Sequence, residues 1–179
     1  MAGLVRNVLD SYRFANTDSS QAYYGANLVG GWSIDVPFPV QFSKIAISVT
    51  VADANGAHKY DFGIYDLSGN LLANVGAQNF AVTGLYDLNI AQGTVTLEEG
   101  KYIFAMTGNA GPLAIAFWDP TDLSTDANEL SALNITNVNG GASSGGSLPA
   151  TLAVTPSFST VRDGTMSQDG NGLPTFILH

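Results

Sequence analysis

Apolar residues recur at every second position through several short runs of this chain, and turn-forming residues separate one run from the next. That period sends successive side chains to opposite faces of an extended strand, whereas a helix would repeat every three to four residues. The pattern is densest from Lys59 to Thr107. In Lys59-Tyr-Asp-Phe-Gly-Ile-Tyr-Asp66 the residues Tyr60, Phe62 and Ile64 face one way, and Asp61, Gly63 and Tyr65 face the other. The first set seeks a core, and the second meets solvent or a further layer. Asp66-Leu-Ser-Gly-Asn70 then has the composition of a tight hairpin turn. Gly69 takes positive φ without a Cβ clash, and Asp66 or Ser68 can bond the turn backbone.

Lys44 to Val51 alternates most cleanly, with Ile45, Ile47, Val49 and Val51 expected inward and Lys44, Ala46, Ser48 and Thr50 outward. Asp53-Ala-Asn-Gly56 forms the turn that follows it. Upstream, Val36, Phe38, Val40 and Phe42 alternate with Pro37 and Pro39, which donate no ladder hydrogen bond. This segment is therefore expected at an edge or at a crossing between sheets. Downstream, Tyr86, Leu88 and Ile90 alternate, Val95 and Leu97 lead into Glu98-Glu-Gly100, and Lys101 to Thr107 is apolar on both faces. Leu113 to Trp118 is similar. Two-sided apolar strands belong in the middle of a sheet with another sheet over them, so the pattern requires a sandwich.

The rest of the chain is less regular. Leu4 to Ala15 fits either period, and a strand from about Val8 preceded by an arm over residues 1–7 is the preferred reading. Asn16 to Gln21 is a polar loop, and Asp119 to Glu129 is an acidic one. Asn139 to Ser147 is Gly/Ser-rich and reads as a flexible surface loop. Leu148 to Thr155 and Pro174 to Leu178 return to complete the sheets. No helix of ordinary length and no internal repeat is apparent. The expected fold is one all-β domain over 1–179, an antiparallel β-sandwich of jelly-roll type with little helix.

Composition narrows the function. A chain of 179 residues buries roughly 70% of its unfolded surface and folds without a staple. The absence of Cys removes disulfides, thiolate metal sites and Cys nucleophiles. Six basic residues against fifteen acidic ones disfavour a phosphate backbone as partner, so no nucleic acid is expected. Only 12% of residues are charged, which suits contacts with protein or sugar better than steering of ions. The apolar runs fall far short of the roughly 20 residues of a membrane helix, and Met1 to Leu9 lacks the plan of a signal peptide. A soluble protein with no membrane partner and no recognisable export signal is expected.

Phe62-Gly-Ile-Tyr-Asp-Leu-Ser-Gly-Asn-Leu-Leu-Ala73, Val95-Thr-Leu-Glu-Glu-Gly-Lys-Tyr-Ile-Phe-Ala105 and the closing Pro174-Thr-Phe-Ile-Leu178 together resemble the jelly-roll-like modules of tailed-bacteriophage virion proteins, especially tail-fibre and tailspike tips. The resemblance lies mainly between Lys44 and Trp118. It implies a virion location, a homotrimer, contacts with other virion proteins and a host-surface glycan as ligand, with no catalytic motif to carry over. Fibre proteins usually place a stalk or anchoring region before the tip, whereas the first strand here begins within fourteen residues of Met1. A trimmed tip and a small head decoration (cement) protein are thus both open. A carbohydrate-binding module of a secreted protein is the third reading.

Candidate chemistry is sparse. His58 and His179 are the only histidines, one in a turn and one at the C-terminal end, so a Ser-His-Asp arrangement would have to recruit a mobile group. Asp119, Asp122, Asp126 and Glu129 lie in one loop; cap and turn roles explain Asp119 and Asp126 more simply than a glycosidase pair, and the spacing does not match the 12-residue calcium loop. The Gly-rich stretch lacks the Lys of a phosphate loop. No enzyme activity, metal or cofactor is expected. Sugars stack on aromatic faces while carboxylates and amides fix their hydroxyls, which makes Tyr23, Tyr24, Trp32, Trp118 and Asp119 the candidate glycan contacts. Core or subunit-interface packing is the competing role for the same aromatics. Leu4, Val5 and Arg6 are the candidate docking arm, because Arg6 and Arg13 in this opening segment supply two of the six basic residues.

Overall fold

The alternating runs within the described residues form strands, as expected for an antiparallel all-β chain; the strand expected from about Val8 lies outside them, and Ser19 to Gln21, expected in a polar loop, belong to a strand. The computed structural model describes residues 5–6, 19–22, 27, 29–110, 113–118, 145–152, 173–174 and 176–179. Its strands are β1 (Val5–Arg6), β2 (Ser19–Ala22), β3 (Val29–Val36), β4 (Val40–Phe42), β5 (Lys44–Val51), β6 (Tyr60–Tyr65) and β7 (Leu71–Asn74). They continue with β8 (Gly84–Asn89), β9 (Val95–Leu97), β10 (Gly100–Gly108), β11 (Ala114–Trp118), β12 (Leu173–Pro174) and β13 (Phe176–Leu178). Every ladder is antiparallel, and no helix occurs among the described residues.

Two main sheets result. A seven-stranded sheet follows the order β1-β13-β5-β11-β12, with β2 on β11 and β8 on β5; a four-stranded sheet runs β3-β10-β6-β7. A two-stranded ribbon, β4-β9, adds Val40, Phe42 and Leu97 to the core between them. The chain passes from the four-stranded sheet to the ribbon at Pro37-Phe38-Pro39, the crossing that the two prolines predict. The chain passes repeatedly between the sheets, as in a β-sandwich.

The core lies between the sheets because their inner faces carry the apolar half of each alternation. Ile45, Ile47 and Val49 of β5 with Phe176 and Leu178 of β13 oppose Tyr60, Phe62 and Ile64 of β6 and Phe104 and Met106 of β10. Phe104 and Phe176 stack across the gap at 3.9 Å and 5°. Phe80 links the layers further, edge-on to Phe62 at 5.7 Å and to Tyr86 at 4.8 Å. Val51, expected inward, is 44% exposed; it is the last residue of β5, where the strand runs out past the core.

β6 is buried along its whole length, and the reason corrects one expectation. The outer face of the four-stranded sheet is covered, among the described residues, by the extended segment 145–152 rather than by a further sheet. Leu148 and Leu152 pack there with Val29, Tyr65, Ile103 and Ala105 in a second small core. The segment is bonded through Leu71 N to the Ala150 carbonyl at 3.0 Å, Leu152 N to the Gly69 carbonyl at 2.8 Å and the Tyr65 hydroxyl to the Pro149 carbonyl at 2.6 Å. Gly146, in the stretch expected to be a flexible loop, is buried at φ 79°, and a Cβ there would collide with the Lys59 carbonyl. Residues 139–144 of that stretch lie outside the described residues. The Asp66 to Asn70 hairpin forms as expected. Gly69 has φ 85°, and the Asp66 carboxylate accepts from Asn70 N at 2.8 Å and Asn70 Nδ2 at 2.7 Å.

Candidate functional site

The loop joining β5 to β6 is the most heavily cross-linked polar feature among the described residues. Asp53 follows β5 by two residues and is 5% exposed, with its N–H bonded to the Phe80 carbonyl at 2.8 Å. Its Oδ1 accepts from Asn55 N at 3.1 Å, a local Asx turn. Its Oδ2 accepts from the Tyr60 hydroxyl at 2.5 Å and from His58 Nδ1 at 2.7 Å. Burial pulls the Asp53 carboxyl upward, but the bonds from Tyr60, Asn55 N and His58 outweigh it and hold the group below its ordinary value.

The same bonds assign the imidazole. Nδ1 faces the carboxylate and carries the proton, so Nε2 accepts from Asn55 Nδ2 at 3.0 Å. The orientation of the Asn55 amide follows independently, because its Oδ1 accepts from Ala57 N at 3.1 Å. Two distant asparagines complete the loop. Asn79 Nδ2 sits 3.2, 2.9 and 3.2 Å from the carbonyl oxygens of Asp53, Asn55 and His58. Asn109 accepts from Lys59 N at 2.8 Å through Oδ1 and donates to the Ala57 carbonyl at 3.1 Å through Nδ2. Both ring nitrogens of His58 are thus engaged within the loop. The Asp53-His58 pair braces backbone; it does not address a hydroxyl nucleophile as in a hydrolase triad.

Two further polar sites lie on the sheets. Asp61 is fully buried on the outer face of β6, where its Oδ2 accepts from Asn74 Nδ2 at 2.7 Å and Leu148 N at 2.9 Å. Desolvation there raises its carboxyl above the ordinary value despite those bonds. Burial, aided by the charge of Asp61, also pushes the Tyr65 phenol upward. On the seven-stranded sheet, Asp87 of β8 meets Lys44 Nζ of β5 at 2.6 Å and Nε2 of His179, the residue after β13, at 2.7 Å. The Lys44 bond is the leading cause of its lowered pKa. His179 is held in place rather than mobile: its carbonyl accepts from Ser43 N and Lys44 N, each at 2.9 Å. Among the described residues, no group of three or more His, Asp or Glu is arranged to hold a metal ion.

The residues singled out from sequence fall elsewhere. Trp32 lies within β3, opposite Phe104 of β10, and Trp118 ends β11, opposite Leu173. Tyr23, Tyr24, Asp119 and Leu4 lie outside the described residues. Val5 and Arg6 form β1 and pair with Leu178 and Ile177, so this part of the opening segment belongs to the chain's own sheet. Sequence reading passed over the Asp53 network, although its local signal was present: an Asp five residues before the only internal His and seven before a strand Tyr. Asn79 and Asn109 gave none, since asparagines that serve a distant loop look like any other turn residue.

No family model matches the chain, and neither do any curated protein or solved structure. No helix among the described residues is long and apolar enough to cross a membrane.

Proposed function

We propose that this chain is a non-enzymatic structural module that assembles with copies of itself. Its setting on this reading is a virus particle of the tailed-phage type, as an appendage of tail-fibre or receptor-binding kind. The observation that carries the self-assembly is the edge strand β8. Among the described residues it is bonded along one edge, to β5, and it and the turn before it present Leu85 at 72% and Val82 at 64% exposure. Large apolar side chains at an open strand edge favour docking of another protein surface, and copies of the same chain are always at hand. A trimer is the stoichiometry that the resemblance implies.

The internal satisfaction of the Asp53 network supports the non-enzymatic reading, since its acidic and imidazole groups find their partners within the loop itself. The pairing of Val5 and Arg6 with β13 favours an appendage over a decoration protein that docks through a free arm. Deleting Met1 to Asn7 discriminates between them. On the appendage reading the shortened chain keeps its attachment to host cells in a pull-down; loss of capsid binding alone would identify a decoration protein. A glycan array with Trp32→Ala then tests the sugar contact, which a saturable signal unaffected by the substitution would refute at that residue.

A further inference from the structure

The loop that holds His58 also carries an Asn-Gly dipeptide, Asn55-Gly56, in an exposed position. An asparagine followed by glycine is the pair most open to attack of the next backbone nitrogen on the side-chain amide, because no Cβ crowds the approach. Three features around Asn55 go beyond the dipeptide. Ala57 N donates to Asn55 Oδ1 at 3.1 Å, where negative charge develops once Cγ becomes tetrahedral. His58 Nε2 lies 3.0 Å from Asn55 Nδ2, the nitrogen that must leave. Gly56 stands in open space, with nothing within 4 Å of where a Cβ would be, so water has access.

We propose that Asn55 is a self-modification site, converting through a succinimide to aspartate and isoaspartate with His58 as the catalytic residue. The Gly56 nitrogen loses its proton to solvent base and forms a bond to Asn55 Cγ, while the Cγ=O pair moves onto Oδ1 beneath the Ala57 N–H. When the C–N bond to Nδ2 breaks, imidazolium His58, protonated from solvent, gives that nitrogen a proton and ammonia departs. The imidazole that remains keeps Nδ1 on the Asp53 carboxylate. Water then opens the ring at either carbonyl, leaving aspartate or its isoaspartyl isomer in place of Asn55. The conversion puts a carboxylate beside the imidazole, so that His58 stands between two acids. In the isoaspartyl form an added main-chain methylene disturbs the Asn55 carbonyl, which accepts from His58 N at 2.9 Å and from Asn79 Nδ2 at 2.9 Å.

The chain supplies its own controls. Trypsin cuts after Lys44 and Lys59, and the peptide between them contains Asn55 as its single asparagine. Asn139-Gly140 and Asn171-Gly172 fall in other peptides. The folded full chain is aged at neutral pH and digested, and each peptide is scored for isoaspartate by mass spectrometry with isoaspartyl methyltransferase labelling. Isoaspartate is expected in place of Asn55, and in His58→Gln its rate of appearance falls by about tenfold or more while Asn139 and Asn171 keep theirs. Gly56→Ala, which fits the space, slows conversion of Asn55 by about tenfold or more whether or not His58→Gln folds. No isoaspartate from Asn55 in the wild type, an unchanged or faster rate in folded His58→Gln, or an unchanged rate in Gly56→Ala would overturn the proposal.

Discussion

Asp53 and Asp61 lie eight positions apart in sequence and respond to pH with opposite signs. The Asp53 carboxyl is held below its ordinary value, so the stability it contributes is present above the usual carboxylate range, near about pH 4, and is lost as pH falls through the lowered value. The Asp61 carboxyl is raised, so its ionised form is penalised in the fold, and that penalty grows as pH climbs from about 4 through the raised value. Asp61→Asn can keep an acceptor for Asn74 Nδ2 and Leu148 N while removing the charge. It is expected to be at least as stable as wild type at neutral pH, with a flatter rise in urea midpoint toward acid. Asp61→Ala strands both donors and should cost about 1–3 kcal/mol for each. Asp53→Ala leaves the buried Tyr60 hydroxyl, Asn55 N and His58 without that acceptor. A loss of about 2–4 kcal/mol in urea denaturation is expected, and an unchanged midpoint would contradict the bracing role.

At the scale of elements, the closing strand and the covering segment 145–152 do more than their lengths suggest. Phe176 stacks on Phe104 between the sheets, so Phe176→Ala should cost about 3–5 kcal/mol in the same assay. Leu148→Ala should cost about 2–5 kcal/mol, because Leu148 seals the outer face of β6. A value near zero for Leu148→Ala would mean that the segment is not a structural layer. The strands themselves were legible: period-two alternation located β5 and β6, the prolines marked the crossing, and Asp66 to Asn70 spelled its turn. The covering segment was not, because Gly145-Gly-Ser147 has the composition of a linker, and its order depends on distant partners, the Asp61 carboxylate and the backbone of Gly69 and Leu71. Asp61 showed the same limit: alternation gave its face, but not that the face would be dry.

For the whole molecule, sequence and structure agree on an antiparallel all-β sandwich, and the candidate site divides along the same line as the fold. Contacts within a few residues, such as Asp53 with His58, had a readable signal, whereas long-range ones had none. The proposed assembly of copies runs through the exposed apolar edge at Val82 and Leu85. Leu85→Asp tests it without touching the core, since the side chain is 72% exposed in the free subunit. The most direct measurement is multi-angle light scattering on wild type and Leu85→Asp at micromolar concentration. The wild type is expected to elute as an oligomer of defined mass and Leu85→Asp as a folded monomer. A monomeric wild type, or a Leu85→Asp variant that keeps the wild-type mass, would contradict assembly through β8.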